Sequence, residues 1–320
     1  MTMLRNAIIG CCATIGLFGN QAWSQTTKTI KLVVAAPAGG ASDVLARVMA
    51  EHIGRSQAVT ITIENRPGAS TAIGTEAVAR AAPDGNTLLI VTPSFVINPH
   101  LRKQSYEPLT SFAPVCNLVR SPQLIVVSNA SRYRTIGDLL NGARRRAGEL
   151  TLAAAGPATG VHIAFERLKR AANVNMTFVP YPGDAPAINA GLGGHVTSVF
   201  APLSGVAEHL RAGRLRALAV ASPERTQSVP DTPTLGEAGY EDIDADIWQG
   251  IVAPANTPKE TLARLIDWFH AALHVPEMKA KLVPLALYPA GICGAEFAAF
   301  LRKKFDDFGQ VIRELDVKAE

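Results

Sequence analysis

The chain has 320 residues, 48% of them hydrophobic and 18% charged, with a formal net charge of +4. At about 150 residues per domain this length holds more than one core, and the apolar content with charges of both signs scattered through it excludes a disordered chain. The basic excess is mild and nowhere forms a run of five, which excludes the gathered basic face of a nucleic-acid binder; Arg144 to Arg146 read as a solvated helix end.

The first residues address the compartment. Arg5 makes a short positive start, Ala7 to Phe18 is an apolar run, and Ala22 and Ser24 stand where a signal peptidase reads small residues. Residues 1–24 therefore read as a signal peptide cleaved after Ser24, which implies export to the periplasm. A lipoprotein box at Ile8-Ile9-Gly10-Cys11 is the competing reading, but it leaves almost no apolar stretch before the cut. A membrane span needs about 20 apolar residues, and neither this run nor any later one reaches that length. Cleavage removes Cys11 and Cys12 and leaves Cys116 and Cys293, too few for a disulfide framework. Two buried free thiols are expected, since isolated cysteines commonly serve as small apolar fillers.

From Ile30 onward, strand-like runs alternate with helical patterns, which predicts parallel strands joined by crossover helices. Ile30 to Ala36 is nearly continuous apolar, as in a strand covered on both faces. Val44, Leu45, Val48, Met49 and Ile53 then recur at helical spacing. The strand "VTITIE", a helix near Ile73 to Ala81, the turn "APDGN" and the strand "TLLIVT" complete a βαβαβ unit. The middle of the chain repeats the scheme with a strand at Gln123 to Ser128, a helix at Ile136 to Arg146, and a strand, glycine turn and helix over Leu150 to Ala172. "MTFVPY", "HVTSVF" and "LRALAVAS" supply short strands, and Asp246 to Ala253 is the last strand-like run before a helical tail from Pro258. Two such units, with a tail able to return to the first, predict two lobes around a cleft. Hinge crossings are expected near Arg120 to Leu124 and Ala245 to Gln249.

The turn after the first strand is the best candidate site. In Pro37-Ala38-Gly39-Gly40-Ala41-Ser42-Asp43, the glycines permit backbone angles that aim N–H groups outward, and Ser42 or Asp43 can cap the helix. Such a helix start attracts a carboxylate or phosphate, although an ordinary capped glycine turn has the same composition. A matching turn, Ala155-Gly156-Pro157-Ala158-Thr159-Gly160 with His162 just inside the helix, suggests a clamp, and a third loop, Tyr181-Pro182-Gly183-Asp184, leaves another strand end.

Other chemistry is less well supported. Gly39 and Gly40 are adjacent, so the Gly-x-Gly-x-x-Gly fingerprint of dinucleotide folds is missing despite Glu64 downstream. Gly68-Ala69-Ser70-Thr71-Ala72 imitates a hydrolase elbow, but it ends in alanine and Arg66-Pro67 separate it from its strand. No rule selects His52, His100, His162 or His195 as a base for Ser70, so Ser70 reads as a helix cap. His270 and His274 share a helix face without the glutamate or third ligand of a zinc site. Trp268, beside Leu265, Ile266 and Phe269, reads as core; Trp248 stays open between core and hinge.

Several blocks in order, among them "PAGGASDVLAR", "IENRPGASTAIGTEAVARAAPDGNTLLI", "AAAGPATGVHI", "VPYPGDAPAINAGLGGHV" and "WQGIVAPANTPKE", make the chain resemble the Bug family, the extracytoplasmic substrate-binding proteins of tripartite tricarboxylate transporters. The resemblance runs from about Ile30 to the C-terminus. It implies an α/β, two-lobed periplasmic-binding-protein fold of type II (Venus-flytrap) with two hinge crossings, in which 25–122 plus 247–320 form lobe 1 and 123–246 form lobe 2. It implies a non-enzymatic receptor that captures a small mono- or dicarboxylate, with aromatic acids among the candidates, and passes it to membrane permease subunits, as a monomer without cofactor or metal. Carried onto this chain, the ligand set is Pro37, Ala38, Gly39, Gly40, Ser42 and Asp43 in the first loop, Gly156, Thr159, Gly160 and His162 in the second, with Ser94 and Asp184 lining the cleft. Departures at Pro182, Thr197 and "AGPATG", where the family commonly has more polar residues, suggest a less polar acid. A receptor subunit reporting to a sensor kinase, and a secreted serine hydrolase, are the rival readings.

Overall fold

The computed structural model describes residues 29–156 and 159–315; the expected signal peptide and its cleavage site lie outside the described residues. The chain opens with β1 (Thr29–Val34), α1 (Ala41–Gln57), β2 (Thr60–Asn65), a 3-10 turn over Ala69–Thr71, α2 (Ala72–Ala79), β3 (Thr87–Val91) and α3 (Ser94–Leu101). β1 pairs in parallel with both β2 and β3, the expected βαβαβ unit. Leu45, Ala46, Met49, Ala50 and Ile53 of α1 are buried, because their spacing of three and four puts them on one stripe facing the sheet.

Then follow β4 (Phe112–Ser121), β5 (Gln123–Ser128), α4 (Ile136–Arg145), β6 (Thr151–Ala155), α5 (Gly160–Ala172), β7 (Thr177–Tyr181), α6 (Asp184–Leu192), β8 (Ser198–Pro202), α7 (Leu203–Arg211) and β9 (Leu215–Val220). The last part comprises β10 (Ile247–Pro254), α8 (Lys259–His274), α9 (Pro276–Leu282), β11 (Tyr288–Cys293) and α10 (Gly294–Leu315). One sheet has the order β11-β4-β10-β3-β1-β2 and the other β7-β6-β8-β5-β9. The chain leaves the first sheet at Ser121, crosses at Pro122, which has no N–H to give a ladder, and enters the second at Gln123. It returns at Ile247.

The sheets are mixed rather than purely parallel. β10 runs antiparallel to β3 and β4, and β5 antiparallel to β8 and β9. A strand that arrives from the opposite lobe needs no crossover helix, so the rule linking alternation to parallel pairing does not govern it. The expected all-helical tail is likewise corrected. β11 adds as an edge strand to β4, where Pro289 and Gly291, which break the strand pattern in sequence, are tolerated.

β11 also overturns the expectation of two free thiols. Cys116 and Cys293 are partners in the register of β4 and β11 and form a disulfide across 177 residues of sequence. No local pattern reports that pairing.

Helices cover both faces of each sheet. α1, α8 and α9 bury one face of the first, and α2, α3 and α10 the other, where Phe95, Phe297 and Leu301 are almost fully enclosed. Buried Trp248 of β10 meets Phe297 and Phe300 edge-on, and Trp268 packs at the core margin under Arg264. α4 and α5 cover one face of the second sheet, α6 and α7 the other. α10 spans the lobes: Phe308 packs with Ile163 of α5, and Glu314 pairs with Arg170 at 2.7 Å. The rings of His270 and His274 lie 4.2 Å apart, tilted to each other, and among the described residues no three potential ligands gather into a metal site. No described helix is long and apolar enough to cross a membrane.

Candidate ligand-binding site

The first loop is held from within by Asp43. Pro37, Ala38, Gly39 and Gly40 are exposed, Ser42 is half-buried and Asp43 is buried. Gly39 adopts φ +82, a left-handed angle that disfavours any residue with a Cβ. Gly40 is the N-cap of α1 in extended conformation, with no side-chain cap, so neither Ser42 nor Asp43 fills the capping role expected of them. Instead the Asp43 carboxylate accepts from Gly39 N at 2.9 Å, from Arg47 Nε and Nη2 at 2.9 and 3.0 Å, and from Asn65 Nδ2 at 3.0 Å. The Arg47 bond first, then the Gly39 amide, hold its pKa down at about 2 against the opposing effect of burial. Asp43 thus shapes the turn, and one of the outward-aimed amides is spent inside it. The first-turn N–H groups of α1 beyond Gly39 have no intrahelical acceptor.

In the second loop, Gly156 takes φ +63 and donates its N–H to Tyr181 O at 2.9 Å. Thr159 caps α5 by accepting from His162 N at 3.3 Å. The His162 ring turns away along α5. It stacks on Phe178 at 4.0 Å and lies 3.8 Å from Glu166, and burial lowers its pKa. Gly160 faces the other lobe, where Phe308 and Ile97 would stand 3.9 and 4.0 Å from a Cβ built on it.

Between these elements lies a cavity of about 270 Å³. From the first sheet's helices it takes Ser94 and Asn98 of α3, with Ser70; from the second, Gly160 of α5 with its N-cap Thr159, and Asp184 of α6; from the crossings, Gln123, Asp244 and Asp246; and from α10, Lys304 and Phe308. Ile97, Leu101, Val161 and Ile247 make the rest largely apolar. Of the residues expected from sequence, Ser94, Thr159, Gly160 and Asp184 share this cavity. Pro37, Ala38, Gly39, Gly40, Ser42, Asp43, Gly156 and His162 stand outside its wall. A wider depression of about 860 Å³ lies beside α7 and β9 and reaches Val283 to Ala286 of the other lobe, but neither crossing lines it.

Sequence reasoning overlooked several of these residues. Gln123 is fully buried, and neither Oε1 nor Nε2 has a hydrogen-bond partner among the described residues. An amide at the start of an otherwise apolar strand, beside an expected crossing, is the signal that could have found it. Asp246 is buried and accepts from Ser222 Oγ; burial first, then the neighbouring Asp244, push its pKa up to about 7 against the pull of Ser222, Arg120 and Lys304. Lys304 Nζ pairs with Asp244 Oδ2 at 2.6 Å. Ser70 is no helix cap: it sits in a left-handed run, Ala69 φ 46, Ser70 φ 50 and Thr71 φ 81, and its carbonyl accepts from Asn98 Nδ2. The cavity wall brings no histidine to it among the described residues.

Two helix-wrapped sheets joined by two crossings, with a cavity between them, define a two-lobed solute-binding protein. Residues 45–317 match the family model described as tripartite tricarboxylate transporter family receptor, and the chain belongs to that family. Protein BugT of Bordetella pertussis (strain Tohama I) is 30% identical over 319 residues, covering 98% of this chain and 97% of that protein. Among solved structures, R. palustris Rpa4515 with adipate superposes with TM-score 0.77 at 29% identity, covering 92% of this chain and 99% of that one. MatC of Rhodopseudomonas palustris with bound malate superposes with TM-score 0.71 at 27% identity, covering 89% and 98%.

Proposed function

We propose that the protein captures a small organic carboxylate between its lobes, in the periplasm, and delivers it unchanged to the membrane subunits of a tripartite tricarboxylate-type transporter. The observation that carries this reading is the cavity of about 270 Å³ lined from both lobes and both crossings. The lobes are taken as 25–122 plus 247–320 and 123–246. Adipate and malate in two relatives support a carboxylate of that size.

In this reading the acid lies in that cavity against the N-terminal amides of α5, with Ser94, Thr159, Gly160 and Asp184 around it, and lobe closure brings up the α1 amides of the first loop, which stands outside the cavity wall and is kept in shape by Asp43. Charge-assisted hydrogen bonds contribute about 1.5–3 kcal/mol each, so a few of them with apolar burial reach micromolar affinity or better. A ligand that touches both lobes favours the closed form over the open one, and closure is what the membrane partner reads.

A thermal-shift screen against mono- and dicarboxylates, aromatic acids, amino acids, nucleotides and sugars tests the proposal. A ligand at 100 times its Kd adds about 2.7 kcal/mol. Acids are expected to stabilise and to be recovered unaltered by NMR. Stabilisation by nucleotides or sugars alone, or a chemically changed acid, overturns the reading.

A further inference from the structure

The charges in the cleft are unusual for a site that receives an anion. Three carboxylates line it, Asp184, Asp244 and Asp246, against two cations, Arg102 and Lys304. Lys304 is already committed to Asp244 at 2.6 Å, Asp246 accepts from Ser222, and Arg102 is exposed at the rim. Asp184 is left over. Its carboxylate has no hydrogen-bond or ion-pair partner among the described residues, and burial raises its pKa. A purely anionic ligand brings a second negative charge to this half-buried acid, which costs affinity, whereas a ligand carrying its own cation supplies the missing partner.

Gln123 points the same way. It is fully buried, lines the same cavity, and neither end of its amide has a partner among the described residues. An unpaired buried donor and an unpaired buried acceptor each carry a desolvation cost that a complementary ligand relieves. A ligand that both donates and accepts within a short span satisfies the two together, as a protonated amine and a carboxylate on neighbouring atoms do.

We infer that the cleft selects a carboxylate bearing a protonated amine, with Asp184 receiving the ammonium group and the Gln123 amide bridging the charged head. The inference rests on the carboxylate reading above and narrows its substrate class to zwitterionic acids. Asp184 then acts as the specificity residue: helix N-termini favour any acid, and Asp184 favours acids that carry an N–H donor.

Calorimetric titration with matched probes tests it: L-glutamate against glutarate, L-aspartate against succinate, and L-phenylalanine against 3-phenylpropionate. The amino member of the best-fitting pair is expected to bind at least tenfold tighter. Asp184→Asn is expected to move the ratio at least fivefold toward the deaminated member, with folding checked by circular dichroism. Equal or tighter binding of the deaminated members by the unmodified protein overturns the inference and leaves the carboxylate reading standing, and needs no variant. An unmoved ratio in folded Asp184→Asn overturns the role of Asp184. Silence from every acid sinks both.

Discussion

Lys304 of α10 and Asp244 of the second crossing meet at 2.6 Å, tying the C-terminal helix of one lobe to the segment that joins the two. The lysine side chain is only 14% exposed and the aspartate 27%, so this pair lies between the surface and the buried regimes. Lys304→Met is expected to cost between about 1 kcal/mol, the upper value for exposed pairs, and about 3 kcal/mol, the lower value for breaking a buried one. Urea unfolding measures it; an unchanged midpoint means the pair does not strap the lobes.

Asp246 sets a pH dependence of stability. Its folded pKa, pushed up to about 7 by burial and Asp244, exceeds the ordinary carboxylate value, so the folded chain holds a proton that the unfolded chain has lost. That contribution is complete below about pH 4 and disappears as pH rises through about 7. Asp246→Asn should flatten the stability profile over this window. A wild-type profile that rises across it contradicts the assignment.

The bridge between Cys116 and Cys293 closes a loop of 177 residues. Its loss, by reduction or by the double Cys→Ala variant, is expected to lower stability by about 2–4 kcal/mol. Coincident melting curves with and without reductant show that the bridge contributes nothing.

Gln123→Leu separates stability from function. Removing a buried amide without partners relieves a desolvation cost of about 1–3 kcal/mol, so the ligand-free protein should melt higher. Affinity for the best acid of the screen should fall at least tenfold. A destabilised variant with normal affinity shows that the amide serves the fold.

Gly39→Val forces a β-branched residue into φ +82, at a place where a new Cβ meets nothing within 4 Å. The cost is therefore backbone strain, about 1–3 kcal/mol, together with distortion of the amide that Asp43 holds. Gly213→Val, at φ +64 and equally open, is the control with similar strain away from the cleft. Affinity is expected to fall for the first and not the second; equal affinities remove the 37–43 loop from the site.

Much of this was legible in the chain itself. The runs around β1, α1, β2 and β3, and those around β6 and α5, declare strands and helices by the period of their apolar residues, and the glycine pair at 39–40 declares a turn, because these properties depend on neighbours within a few residues. Periodicity is silent on contacts between distant segments. The pairing of β11 with β4 and the disulfide it permits, the unpartnered amide of Gln123, and the meeting of Asp184 with Asp244, Asp246 and Lys304 around one cavity arise only when both crossings bring the sheets together. The amino-acid order determined two lobes with glycine turns at their strand ends. Which side chains face the cleft, and which are consumed in holding it as Asp43 and His162 are, was decided by tertiary packing, since a polar atom's role depends on which partner reaches it first.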